Sequence, residues 1–170
     1  MKEKYSEEWL ELIHKREEYE KASFLYNKVN ENQRRQDLRK ALKESNVLEQ
    51  WPVIKMMKEG YIYSDSIELV LDEVVEIATT GYEECVGGAV GALNHLSMKK
   101  WKNKIIQLVI FYTENNLKDK AVFHYSWHLL YRLGFKQALI DYVEKYEEYM
   151  EGELDEEDWK DIRNMTERCC

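Results

Sequence analysis

The sequence predicts an all-α protein, a right-handed α-solenoid of stacked helix pairs preceded by an N-terminal helical extension. Apolar residues recur with a period near 3.6 along the chain, and no stretch keeps the period of two that a half-buried strand needs. One Pro and seven Gly in 170 residues are too few for turn-rich β architecture. Helix pairs also repeat. Val86, Val90, Leu93 and Leu96 fall against Phe123, Trp127, Leu130 and Leu133 at an offset of 37 residues, and Leu108, Val109 and Tyr112 against Tyr142, Val143 and Tyr146 at 34. A helix-turn-helix period in that range marks a solenoid, because one pair cannot bury its apolar face without neighbours.

Residues 1–170 form one domain, in which residues 1–45 are N-terminal helices, 46–150 three helix pairs and 151–170 a C-terminal capping helix. The first helix spans about Ser6 to Val29, with Trp9, Leu12, Ile13, Tyr19 and Tyr26 on or near one stripe. The stripe is lost over residues 27–36, and a second helix near 33–45 offers only Leu38, Ala41 and Leu42, enough for light packing. The first pair opens with Val47 to Glu59, which holds the lone Pro52 near its first turn and stops at Gly60. Its second helix starts at Ser64 or Asp65, where Asp65 and Glu68 have the spacing of a capping box, and runs unbroken to about Thr79 before Gly81. Tyr82 to Leu96 with Lys99 to Glu114 make the second pair, and Lys118 to Leu133 with Phe135 to Met150 the third, joined at Gly134. The eight-residue run Ile105 to Tyr112 is apolar nearly all round and reads as a central helix with neighbours on both sides. The cap, about Asp155 to Glu167, directs Trp159, Ile162 and Met165 inward.

Composition narrows the function. A domain this long hides roughly 68–70% of its unfolded surface, so it needs neither disulfides nor a structural metal. With 44% hydrophobic residues it is too apolar for a disordered acidic tail. Twenty-five bases against 33 acids give a net charge of −8, which disfavours nucleic acid as a partner, since that affinity comes from Lys and Arg displacing counterions. The start has acids at positions 3, 7 and 8 and no apolar signal segment, and no run approaches the roughly 20 residues of a membrane span. A cytoplasmic protein without membrane contact is expected. Cys85, Cys169 and Cys170 suggest no disulfide framework, and Cys85 reads as a small buried hydrophobe.

Few residues have the pattern of catalytic or ligand chemistry. Gly87, Gly88 and Gly91 lie within a helical pattern at about 1 kcal/mol each relative to Ala, a cost that close helix approach would offset. Gly87 and Gly91 share a face on which Trp101 or Trp127 would sit; GGAVG lacks the Lys-Ser/Thr and the preceding strand of a phosphate loop. His124 and His128 have the i, i+4 spacing of zinc enzymes, but position 125 is Tyr and no third ligand follows, so they are expected to be packing residues without metal. His14 and His95 have no identifiable nucleophile beside them, so no catalytic residue and no cofactor is expected.

Acid placement says more. Glu147 to Asp161 hold nine carboxylates and one Lys, which a solvated face explains. Glu68, Asp72 and Glu76 at i, i+4, i+8, and Asp141, Glu144 and Glu148 at i, i+3, i+7, form stripes opposite their helices' apolar sides. Second helices of a solenoid line one surface, so the stripes are expected to add into one negative field facing a basic partner.

The paired-helix plan through YEECVGGAVGALNHLS and IIQLVIFYTEN, then KAVFHYSWHLLYRLG and ALIDYVEKYEE, resembles the HEAT-like, all-helical immunity proteins of bacterial polymorphic and contact-dependent toxin systems, including those paired with EndoU-type RNA-cleaving toxins. The resemblance covers Asn46 to Met150 and rests on helix rhythm, length and acidity. It implies a right-handed α-solenoid of HEAT-like pairs that binds a cognate toxin domain and blocks its active site without being an enzyme. The contact residues expected, Glu68, Asp72, Glu76, Asp141, Glu144 and Glu148, come from the stripes alone. An α-solenoid scaffold or adaptor with no toxin partner is the alternative reading; an enzyme of this build would need a basic concave surface.

Overall fold

The computed structural model describes residues 5–44, 47–150 and 156–169, and all regular structure among them is helical. Helix α1 (Glu7–Tyr26) is capped by Ser6, whose hydroxyl accepts from the Trp9 N–H at 3.2 Å. None of its residues is buried, and only its C-terminal half is held. Tyr19 meets the edge of Tyr61 at 4.5 Å, Ser23 donates to the Tyr61 carbonyl, and Asn27 donates to that carbonyl at 2.8 Å while accepting from the Tyr63 N–H at 3.0 Å. Trp9, Leu12 and Ile13, on or near the expected stripe, stay exposed.

Asn30 caps α2 (Glu31–Arg39), which tightens no further but widens into a π-helical turn, Lys40–Glu44. This segment packs more deeply than its sparse stripe suggests. Leu38 and Leu42 are buried, and so is Arg34, which donates from Nη1 to Asp65 Oδ2 at 2.8 Å and to the Ser66 hydroxyl.

Helices α3 (Val47–Lys58) and α8 (Lys120–Arg132) both end as the sequence predicts, on a glycine. Gly60 and Gly134 adopt φ of +80° and +70°, a left-handed conformation that a side chain would strain. Each glycine N–H bonds back three residues and the next N–H five residues, to Met57 and Met56 in one case and Tyr131 and Leu130 in the other.

One expected helix is two. The chain forms α4 (Ser64–Glu68), turns at Leu69 and Val70, and resumes as α5 (Leu71–Thr80). The capping box does not form, because Tyr63 occupies the N-cap position and both acids are drawn to other elements, Asp65 to Arg34 and Glu68 to Lys100 and Trp101. The break places Val70 and Leu71 both in the core.

The remaining helices are α6 (Glu83–Leu93), α7 (Met98–Glu114), α9 (Lys136–Met150) and α10 (Glu156–Cys169). The central one is α5, which touches α6, α7 and α8 and buries Leu71, Val74, Val75, Ile77 and Ala78. The apolar run of α7 has α5 and α8 against it but is not enclosed all round. It buries Ile105, Leu108 and Val109 on one face and leaves Phe111 55% exposed. In α10, Ile162 is buried and Trp159 meets Phe123 edge-on at 6.3 Å; the Met165 side chain and Asp155 lie outside the described residues.

Contacts run in two rows. Trp51, Ile54 and Lys58 of α3 meet Gly88 and Gly91 of α6 in ascending order, so those helices are parallel. Likewise Glu68 meets Lys100, Asp72 meets Lys104 and Glu76 meets Tyr112, so α5 and α7 run the same way. Lys102 lies over Phe135 and Lys145 pairs with Glu114 at 2.7 Å, which sets α9 parallel to α7. A buried hydroxyl cluster joins three helices, with Thr113 of α7 3.2 Å from Ser126 of α8 and 2.9 Å from Tyr142 of α9.

The glycines of α6 permit close approach, but with other partners than expected. A Cβ on Gly88 would stand 2.5 Å from Ile54 Cγ2, and one on Gly91 would stand 2.7 Å from Lys58 Cγ. The neighbours are therefore on α3, not Trp101 or Trp127. Gly87 faces open space, with nothing within 4 Å.

Candidate functional site

The two acidic stripes have different surroundings. On α4 and α5, Glu68 accepts from Lys100 Nζ at 2.6 Å and from Trp101 Nε1 at 2.7 Å. Burial raises the Glu68 pKa, but these two hydrogen bonds and the Lys100 charge outweigh it and hold the carboxyl below its ordinary value. Asp72 pairs with Lys104 at 3.6 Å, and Glu76 accepts from the Tyr112 hydroxyl at 3.4 Å. Burial first, then the charges of Glu76, Asp72 and Glu73, push the Tyr112 phenol well above its ordinary value. Much of this stripe's charge is thus answered within the chain.

On α9, Asp141, Glu144 and Glu148 are exposed. Asp141 takes a hydrogen bond from Gln137 one turn earlier, at 2.8 Å, and none of the three forms an ion pair among the described residues. Glu147 adds a fourth exposed carboxylate beside them. The expected single negative field is interrupted. Helix α7 lies between the stripes and presents Lys99, Lys100, Lys102 and Lys104, so the structure keeps the α9 acids as a separate patch.

Next to that patch is an apolar slot of about 300 Å³ between α7 and α9, lined by Ile106, Ile110, Ala138 and Tyr142 and bordered by Asp141, Lys102 and Lys145. An apolar recess with a charged border suits one anchoring side chain of a protein partner, whose bases could reach Asp141 at the rim and the exposed acids farther along α9.

Glu73 is the charged residue that the stripe reading passed over. It is 2% exposed, with Oε1 2.8 Å from Arg39 Nε and 3.8 Å from Lys43 Nζ, and its Oε2 has no hydrogen-bond partner. Its position was a signal: Glu73 lies three residues after Val70 and four before Ile77, on the apolar face of α5. It ties the π-helical turn and α2 to the central helix.

The histidines and glycines set aside as packing residues come together in a groove of about 430 Å³. Its floor is the glycine face of α6, one wall is Lys58 of α3, and the other is His124, His128 and Arg132 of α8. The two imidazole rings stack at 6.3 Å with 14° between planes, and each meets Trp127 edge-on. Burial, reinforced by the charges of His124 and Arg132, lowers the His128 pKa. No group of three or more His, Cys, Asp or Glu among the described residues is placed to hold a metal ion. A further cleft of about 340 Å³ between α1, α2 and α3 is almost wholly apolar, lined by Tyr19, Tyr26, Leu38, Val53, Met56 and Ile62.

Cys85 is buried, and burial with the nearby Glu84 charge raises its thiol pKa, which makes it unreactive. Cys170 and the Cys169 side chain lie outside the described residues. No helix among the described residues is long and apolar enough to cross a membrane. No family model, curated protein or solved structure matches the chain.

Proposed function

We propose that this chain acts by binding, as an immunity-type protein of the cytoplasm that covers the active site of a cognate, basic, nucleic-acid-cleaving toxin. The observation that carries the reading is the α9 patch, where Asp141, Glu144 and Glu148 are exposed without an ion pair among the described residues beside an apolar slot. Carboxylates so arranged attract the Lys and Arg that a nuclease uses to hold substrate phosphates, and the slot receives an apolar anchor. Such a protein needs no catalytic group of its own. The parallel rows α3, α6 and α5, α7, α9 support reading the fold as an α-solenoid of HEAT-like pairs, in which the second helices present one continuous side to the partner.

The test is co-expression with the protein encoded by the adjoining gene in its own genome. A variant carrying Asp141→Lys, Glu144→Lys and Glu148→Lys should remain helical and fail to protect the host. Full protection by this variant would overturn the proposal, and a non-toxic neighbour that still binds the patch would favour a scaffold role.

A further inference from the structure

We propose that the groove between α3, α6 and α8 binds a small phosphate ester, its anionic end held by Lys58, His128 and Arg132. The volume, about 430 Å³, is within the range of sites for small molecules, and the cavity is formed by three helices rather than by a mobile loop. The two ends differ chemically. Glu83, the first residue of α6, and Tyr125 lie toward one end, and Asn94, just past the end of α6, lies toward the other with Lys58 and Arg132. Eleven helical steps separate Glu83 from Asn94, about 16 Å, room for a phosphate at the basic end and a hydrogen-bonding body reaching the acidic one.

The charges point to an anion. In a chain with eight more acids than bases, Arg34, Arg39, Lys100, Lys104 and Lys145 each meet a carboxylate. Lys58 and Arg132 form no ion pair among the described residues, although both line one cavity with two imidazoles. Cations gathered with one opposing acid, Glu83, repel one another until an anion joins them, and they repel a metal ion. His95 donates from Nε2 to the Lys58 carbonyl at 2.7 Å, which fixes the end of α3 against α6.

Gly87 gives an independent reason. Packing accounts for Gly88 and Gly91, but no atom lies where a Gly87 side chain would begin, so the helix accepts a weakening residue without a packing gain. Its position in the groove floor accounts for it, because any side chain there occupies the cavity.

Calorimetric titration of the full chain with inorganic phosphate, adenosine 5′-monophosphate and adenosine tests the assignment, with adenosine 5′-monophosphate as the probe ester. The ester should bind saturably and about tenfold or more tighter than phosphate, with adenosine weaker still, and should move the His128 ring resonances in proton NMR. The Lys58→Gln/Arg132→Gln double variant should weaken the ester about tenfold or more, and Gly87→Leu should abolish binding with helical circular dichroism retained. Absence of saturable binding by both phosphate and the ester would overturn the proposal. So would unchanged affinity in the double variant, or phosphate binding as tightly as the ester.

Discussion

Glu73 and His128 show how burial turns single ionisable residues into testable determinants. The Glu73 carboxylate is buried on the apolar face of α5 and neutralised by two half-exposed bases, so removing the nearer base leaves a poorly compensated charge in the core. Arg39→Ala is expected to destabilise the fold by about 1–3 kcal/mol in urea denaturation, less than a fully buried pair would lose because Lys43 and water remain. Adding Glu73→Leu to that variant should recover part of the loss, since the uncompensated charge goes with it. A single variant as stable as the parent would show that Arg39 does not neutralise Glu73. For His128 the sign is set by its lowered pKa. The unfolded chain binds this proton near pH 6.5 and the folded chain only at lower pH, so its contribution is complete above about 6.5 and is lost as pH falls through the folded value. Proton NMR titration should place the His128 midpoint below that of a solvated histidine, and His128→Gln should reduce the loss of stability between pH 7 and pH 5.

At the scale of helices, adjacent glycines are expected to respond oppositely to the same substitution. Gly88→Ala drives a methyl into the fully buried, β-branched Ile54 and should cost about 1–3 kcal/mol. Gly87→Ala meets nothing and should raise stability by up to about 1 kcal/mol, readable as a higher thermal midpoint. Equal effects would contradict the packing of α3 on α6. The helices themselves were legible because period and terminators agreed: Gly60 and Gly134 stop α3 and α8 in the left-handed geometry that glycine makes cheap. The break between α4 and α5 was not legible, since Leu69 and Val70 continue the apolar period with neither Gly nor Pro, and the turn is imposed by packing. Cys85 and the burial of Ile162 were legible from their apolar settings, whereas the partners of Gly88 were not, because the sequence shows a small face without saying which helix lies on it.

For the whole molecule, charge is arranged by rows of helices rather than by single stripes. The acidic spacing was visible in sequence, but Glu68, Asp72 and Glu76 find their partners on α7, 32 to 36 residues away, which no local pattern reveals. That internal pairing leaves α9 as the acidic patch that the proposed partner would meet, and it predicts different outcomes for the two stripes. Reversing Glu68 should disturb the fold through Lys100 and Trp101, while reversing Asp141, Glu144 and Glu148 should leave the melting midpoint nearly unchanged. The most direct test of the proposed binding role is the association rate of the purified chain with the protein encoded by the adjoining gene, measured by surface plasmon resonance from about 50 to 500 mM salt. Steering by the α9 acids predicts a rate that falls about tenfold or more across that range and is already low, and nearly independent of salt, in the triple-reversal variant. A rate that salt leaves unchanged, or a triple variant that associates as fast as the parent, would contradict it.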